Sequence, residues 1–332
     1  MFIHAMEFII TVDPDFVMKI LITPTSEELS LIVFDTEKGE VIKTVERDER
    51  ADNKNADESK PIHRPFGISW NKDNLFVANR KNLLVYGKDW KLEHFMEDVL
   101  DENTHQITWW RDKIIIAMSR LDCVQIMGEN GEDKEYYRPF VGWSKEQFSW
   151  AGSSVTSRPD KPKDLYHINA VVVVDDILYI MMSNLEHVNP SITRKSQILA
   201  LNLKTREVEK LYTSDAERAH GLYVNGKEFG ILDTKRHRVL LGDDVIYKTS
   251  WNKKVWLRGI AGDEKDIVVG VSCLKKDREK RARGDANLVS ITNRKISNQY
   301  NLKDIGAIND IKRIDGVDFS HHNPFEFPLP LN

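Results

Sequence analysis

The chain has 332 residues, 41% hydrophobic and 30% charged, with a formal net charge of -4. It is long enough for one large all-β domain or two smaller ones, and its net negative charge gives no whole-molecule attraction to nucleic acid or an anionic membrane. No apolar run approaches the roughly 20 residues that cross a bilayer. Cys123 and Cys273 form no CxxC pair, so buried free thiols in a reducing compartment are expected rather than a disulfide framework or a zinc ribbon.

Residues 1–17 form an N-terminal segment. It has a short apolar stretch but no basic leader and carries Glu7, so it does not read as a signal peptide, and a cytoplasmic protein is expected. Three strand-like runs follow: MKILITP, LSLIVFD and VIKTVE. From there one frame recurs along the chain, a leading residue that opens a strand-turn-strand unit. The leaders are Phe66 (FGISWNKDNLFVANR), His105 (HQITWWRDKIIIAMSR), His167 (HINAVVVVDDILYIMMS), His220 (HGLYVNGKEFGILDT), Arg258 (RGIAGDEKDIVVGVS) and Asn309 (NDIKRIDG). The turns carry Asn, Asp and Gly, which tolerate a left-handed backbone, and the flanking runs are of strand length without helical periodicity. Third strands follow at LLVY, QILALNL, RVLLG and NLVSI. The one helix signal falls at 91–101.

The shorter leader spacings, 66 to 105 and 220 to 258, match the period of a propeller blade. The longer ones require insertions, and polar stretches at 136–164, 184–196 and 275–285 supply them. Six leaders make six units. The N-terminal runs lack a leader strand, and AINDIKRI near the C-terminus is a leader strand with little after it. Paired, they complete one blade and close the ring. The expected fold is an all-β, six-bladed propeller over residues 18–318, closed by its N- and C-terminal strands. Two packed β-domains split near residue 150 are the alternative. Residues 319–332, Pro-rich and containing His321-His322, are expected to be a tail that packs outside or stays mobile.

In such a ring the leaders surround one channel mouth, joined there by the ends of the second strands and by the inserted loops. His105, His167 and His220 then converge, and three imidazoles suit a divalent metal (Zn, Fe or Mn) with a position left open for water or substrate. Arg258 offers a planar fork for an anion. Asn309, Arg120, Asn79 and Ser183 are further candidate substrate contacts, and Asp233 and Asp310 are candidate acid/base groups by position. His63 lies out of frame. A single histidine at a strand start is ordinarily structural; three in one frame are what point to a site. The basic run from Lys275 to Gly284 reads as a solvated loop or as a lid that draws anions in. Trp256 is a candidate aromatic platform, as are Trp143, Trp150 and Trp251. Gly-rich phosphate loops, GxSxG and HExxH are absent.

The ordered set RPFGISW, HQITW…MSRLDC, HINAV, HGLYV…LDT and LRGIAG…VGVSCLK resembles an uncharacterised bacterial domain-of-unknown-function family, across residues 61–290. That resemblance implies a propeller. More distantly the blades look like those of NHL-repeat and gluconolactonase-type propellers. Histidines stand where gluconolactonase-like enzymes use carboxylates and amides, so neither that metal site nor lactone hydrolysis carries over. The expected function is a metal-dependent enzyme, with lyase or hydrolase chemistry on an anionic or sugar-like small molecule. The alternative is a non-catalytic propeller that binds a peptide, glycan or protein at the same mouth.

Overall fold

A computed structural model describes residues 17–49, 65–100, 104–139, 153–155, 166–183, 195–226, 228–249, 255–273 and 278–331. The described residues form six antiparallel sheets arranged as blades. Blade 1 joins β1 (Lys19–Pro24), β2 (Leu29–Asp35) and β3 (Glu40–Glu46) to the last strand of the chain. Blade 2 is β4 (Pro65–Trp70), β5 (Leu75–Asn79), β6 (Asn82–Tyr86) and β7 (Leu92–Met96). Blade 3 has five strands: β8 (Thr104–Trp110), β9 (Lys113–Met118), β10 (Cys123–Gly128), β11 (Glu135–Arg138) and β12 (Ser153–Val155). Blade 4 is β13 (Ile168–Val174), β14 (Ile177–Met182), β15 (Lys195–Asn202) and β16 (Val208–Glu217). Blade 5 is β17 (Ala219–Asn225), β18 (Glu228–Asp233), β19 (Arg238–Leu241) and β20 (Asp244–Lys248). Blade 6 is β21 (Val255–Gly262), β22 (Asp266–Cys273), β23 (Ala286–Thr292) and β24 (Lys295–Leu302).

The last strand, β25 (Ile308–Arg313), pairs antiparallel with β1 in the register Ile20↔Arg313 to Thr23↔Asp310, so the two ends of the fold share blade 1 as the leaderless N-terminal runs required. The expected helix at 91–101 is not formed: Leu92–Met96 is the outer strand β7, and Leu92 pairs with Tyr86. The apolar residues there face blade neighbours rather than one helical stripe, with Leu92 and Phe95 packed on the blade 1/2 core and Met96 on the blade 2/3 core. The described residues contain one short helix, α1 (Arg278–Ala282). No described helix is long and apolar enough to cross a membrane.

Short β-branched runs such as KIIIAM in β9 are buried on nearly every residue, because each blade is covered on both faces by its neighbours. The apolar core is accordingly divided into six clusters, one at each blade interface. Outer strands are half exposed and polar, charged in β3 and amide-rich in β24, which blunts their free edges. Turn chemistry is as expected: Asn71 Oδ1 accepts from the backbone N–H groups of Asp73 and Asn74, and Asp263 Oδ1 from those of Lys265 and Asp266. Cys123 is buried and Cys273 partly buried, and both are free thiols.

The six inner strands β25, β4, β8, β13, β17 and β21 stand side by side around the axis. The far end of that channel is filled. Residues 318–325 cross it, tied to the ends of the inner strands β4, β17 and β21. Gly262 N–H donates to Asp318 at 3.2 Å, Phe319 N–H to the Gly262 carbonyl at 2.8 Å, Val224 N–H to the Phe319 carbonyl at 2.8 Å, and Asn323 Nδ2 to the Trp70 carbonyl at 2.7 Å. His321 is 1% exposed and bonds Ser69 Oγ at 2.8 Å. Trp70 Nε1 and Trp90 Nε1 then donate to the carbonyls of Phe325 and Pro330. The C-terminal segment is thus a channel plug, not an outer or mobile tail. Its aromatic and amide groups find partners that no local pattern in the segment announces.

Candidate functional site: the open channel mouth

At the other end, each inner strand breaks register with its neighbour at or beside its leader. The irregularities fall between Pro65 and Ile68, Thr104 and Ile107, Ile168 and Ala170, His220 and Leu222, and Leu257 and Ile260. In β25 the extra residue is Asn309 itself, between Ile308 and Asp310. A β-bulge bends the strand and re-aims a side chain. Repeated six times around an axis, it turns the leaders toward one point. Close approach is part of the device. Gly259 has φ +73°, and a Cβ there would sit 2.6 Å from Ile311 Cγ1 and 2.8 Å from the Ile311 backbone nitrogen.

The three histidines meet. Ring centroids are 5.5 Å apart for His105–His167, 6.1 Å for His167–His220 and 6.3 Å for His105–His220, and Phe66 stands 5.5 Å from His105. They do not meet by shared register. The bulge in blade 4 falls at Asn169, so His167 precedes β13 and lies one residue earlier than its counterparts. Its backbone is left-handed, with φ +49°, and its N–H and that of Tyr166 both donate to Asp122 Oδ1.

Around this group runs a closed circle of bonds between successive blades. Asn309 Nδ2 donates to the Pro65 carbonyl, Thr104 Oγ1 to the Arg80 carbonyl, and His167 N–H to Asp122. Asn169 Nδ2 donates to the Ala219 carbonyl, Thr234 Oγ1 to the Leu257 carbonyl, and Ile308 N–H to Ser272 Oγ. Every blade is tied to the next at the level of the mouth, which gives the leaders a rigid frame.

A small cavity lies inside the ring, lined by Phe66, His105, Gln106, Asn169, His220, Arg258 and Asn309. About 10 Å³ of it is open to water centres, room for roughly one water molecule. No carboxylate is among its described lining residues. Arg258 donates to Asn309 Oδ1 at 3.3 Å, and its guanidinium carbon lies 4.4 Å from the centre of the Trp256 ring. Burial, and next the charge of Arg258, push His105 and His220 well below the ordinary imidazole range, so both rings are held neutral. Neutral imidazoles are the form that ligates a metal or accepts a proton.

Gln106 and Asn169 belong to this site although neither is a leader. Gln106 Nε2 faces Asp310 at 3.0 Å and Asn169 Nδ2 faces the Ala219 carbonyl at 2.6 Å, which fixes both amide orientations. Their oxygens, Gln106 Oε1 and Asn169 Oδ1, are buried and have no hydrogen-bond partner among the described residues. Orphaned acceptors in a polar cavity mark a place for a donor or a cation. The sequence signal was their position at the bulge, visible only once register is known.

The other candidates separate. Asp310 is fully buried below the mouth, against Lys312 Nζ at 3.4 Å, and accepts from Ile68 and Ile311 N–H. Burial raises its carboxyl above the usual range, against the opposing charge of Lys312. It does not line the cavity, and it touches the site through Gln106. Asp233 is likewise buried but turned to Arg238 Nε at 2.9 Å and to the backbone N–H of Arg236, inside an ion-pair network with Asp215 and Glu217. Ser183 accepts from Asn169 Nδ2 and donates to the His167 carbonyl, supporting both. Asn79 closes β5 opposite Pro65, and Arg120 is exposed in the turn after β9; neither lines the cavity. His63, Trp143, Trp150, Trp251 and most of the inserts at 136–164 and 184–196 lie outside the described residues. From the third insert α1 is described, and it brings Arg281 onto Trp256, 4.3 Å from the ring centre.

Three imidazoles sharing one zinc have ring centroids about 5 Å apart. The observed spacings are wider, and among the described residues no set of three His, Cys, Asp or Glu side chains is drawn in closely enough to hold a metal ion as it stands.

No family model matches the chain, and no curated protein matches it. Solved structures do, at the level of fold. A protein of unknown function from Bacteroides caccae is similar at 9% identity and TM-score 0.56, covering 90% of this chain and 100% of that one. A chain of a nidogen/laminin complex is similar at 8% identity and TM-score 0.57, covering 89% and 98%. This protein is a six-bladed β-propeller with a histidine-lined cavity at one channel mouth, no described lining residue of which is a carboxylate, and a C-terminal plug at the other.

Proposed function

We propose that the open mouth is a metal-assisted site for an anionic small molecule. The observation that carries this reading is the convergence of His105, His167 and His220 beside two orphaned amide oxygens. A divalent ion placed among them would draw the rings in by about an ångström, to the spacing of a shared ligand set. It would find neutral imidazoles at His105 and His220, and Gln106 Oε1 or Asn169 Oδ1 as a further oxygen donor. The ion would act as a Lewis acid or lower the pKa of a bound water. Arg258 would hold the anionic group of the substrate. Asp310 is then a positioning residue that orients Gln106, not the acid or base. Lyase or hydrolase chemistry suits this set.

A binding module without chemistry is the second reading. One observation favours it: no carboxylate lines the described cavity, so acid–base work falls to the histidines or to bound water.

Elemental analysis of untagged protein separates the two. The expected result is close to one equivalent of a transition metal, lost in the triple variant H105A/H167A/H220A, whose far-UV circular dichroism stays unchanged. Less than a tenth of an equivalent, with no thermal shift on adding zinc or manganese, leaves the binding reading in possession.

A further inference from the structure

The side-chain amides among the described lining residues of the mouth all turn their nitrogens to the protein. Gln106 Nε2 donates to Asp310 at 3.0 Å, Asn169 Nδ2 to Ser183 Oγ at 2.9 Å and to the Ala219 carbonyl at 2.6 Å, and Asn309 Nδ2 to the Pro65 carbonyl at 2.8 Å. Asn309 Oδ1 accepts from Arg258, but Gln106 Oε1 and Asn169 Oδ1 have no partner among the described residues. Gln106 is 6% exposed and Asn169 2%, and both line the cavity, so their oxygens are the ends left to face it. The histidines add acceptors of their own. His220 Nδ1 lies 3.0 Å from the Arg218 carbonyl, which can only accept, so Nδ1 carries the proton. The ring is neutral, and Nε2 therefore keeps a lone pair. His105, also neutral, has one such nitrogen. The cavity is thus rich in acceptors, with room for roughly one water molecule. One water donates two hydrogen bonds at most, and a buried acceptor left without a donor is costly.

We propose that Gln106 Oε1 and Asn169 Oδ1 are a receptor for hydroxyl groups, and that the ligand of this mouth is a polyhydroxylated small molecule that enters by one terminal hydroxyl-bearing arm. Hydroxyls on neighbouring carbons each bring one O–H donor, one for each amide oxygen, and their own oxygens stay able to accept. An ammonium group would also bring donors, but the charge of Arg258, which helps to hold His105 and His220 neutral, opposes a second cation that gains no ligand bond in return. The small open volume admits an arm rather than a whole ring, so the bulk of the ligand stays at the rim. This inference rests on the mouth being the functional site and names the substrate class for it. It holds with or without the metal, which can claim one of the two oxygens.

The test uses chelator-treated full-length protein at constant ionic strength, titrated calorimetrically with sorbitol, gluconate and hexanoate. Sorbitol and gluconate are expected to bind saturably, and gluconate about tenfold or more tightly than hexanoate, which has the same carboxylate and chain length without hydroxyls. This comparison needs no variant, and the apolar tail of hexanoate biases it against the proposal. Q106M and N169L, with their folding checked by circular dichroism and thermal midpoint, are each expected to weaken gluconate about tenfold and to leave hexanoate nearly unchanged. A merely structural role for either amide would move both ligands together. Hexanoate binding as tightly as gluconate, no saturable binding of either polyol, or folded Q106M and N169L variants that bind gluconate as the wild type does, overturns the hydroxyl receptor. A protein that prefers gluconate but takes up no transition metal keeps the receptor and loses the metal reading; one that takes up metal but does not distinguish gluconate from hexanoate does the reverse.

Discussion

Deleting residues 316–332 is expected to cost at least about 5 kcal/mol, a large share of the stability of an ordinary domain. The segment looks expendable, yet it contributes to three blade interfaces. Leu329 is 3% exposed in the blade 1/2 cluster, Phe327 and Leu331 pack on that cluster, Phe325 packs on it and on the blade 2/3 cluster, and Phe319 packs on the blade 5/6 cluster. Each large apolar side chain returned to water loses about 1.5–3 kcal/mol when fully buried, and less in proportion when half buried. Polar losses add to this. Trp70 and Trp90 lose their acceptors, and Lys312 loses Ser320, leaving donors buried with fewer partners. Urea unfolding followed by tryptophan fluorescence checks it. A midpoint within a few tenths molar of the full chain would show that the plug is an ornament.

The second large effect concerns the pair below the mouth. Lys312 is 1% exposed and Asp310 fully buried, 3.4 Å apart. Removing one partner of such a pair leaves a buried charge uncompensated, and D310A is expected to lose about 3–5 kcal/mol. K312M should lose a comparable amount, because Asp310 then keeps only Gln106 and two backbone donors. The double variant D310A/K312M is expected to be less destabilised than the sum of the singles by more than about 1 kcal/mol, since it removes both charges together. Strict additivity in that cycle would mean the two groups do not depend on each other. Because Gln106 is oriented by Asp310, D310A should also weaken metal binding at the mouth, whereas K312M should leave it close to wild type.

Much of the architecture was legible in the chain because each unit carries the same apolar run, turn and apolar run. The missing leader at one end and the surplus leader strand at the other predicted the closure of blade 1. The sequence was less informative wherever a partner lies far along the chain. Residues 316–331 have no strand or helix period, so nothing local says that His321 meets Ser69 or that Phe325 meets Trp70. Leu92–Met96 has mixed polarity because an outer strand shows one face to water, which imitates a helical pattern.

For the convergence of the histidines, the leader frame carried the signal and the register did not. His167 stands two residues ahead of the bulge at Asn169, one residue earlier than the other leaders, and reaches the group through a left-handed backbone, so its membership followed from coincidence of type rather than of position. Asp233 sits at the strand end that a catalytic residue would use, but Arg236 and Arg238 follow within one turn and hold it for the blade. Gln106 and Asn169 were invisible as site residues because a polar amide inside an apolar run reads as a ladder residue until its neighbours are known.

Titration of the chelator-treated protein with Co²⁺, followed by visible absorption, tests the convergence of the three histidines most directly. The expected result is saturation at one equivalent, with the intense ligand-field bands of a four- or five-coordinate ion bound by imidazole, and loss of those bands in each of H105A, H167A and H220A. A spectrum that stays that of the six-coordinate aqua ion throughout, or bands that survive any one of these substitutions, would contradict a shared site.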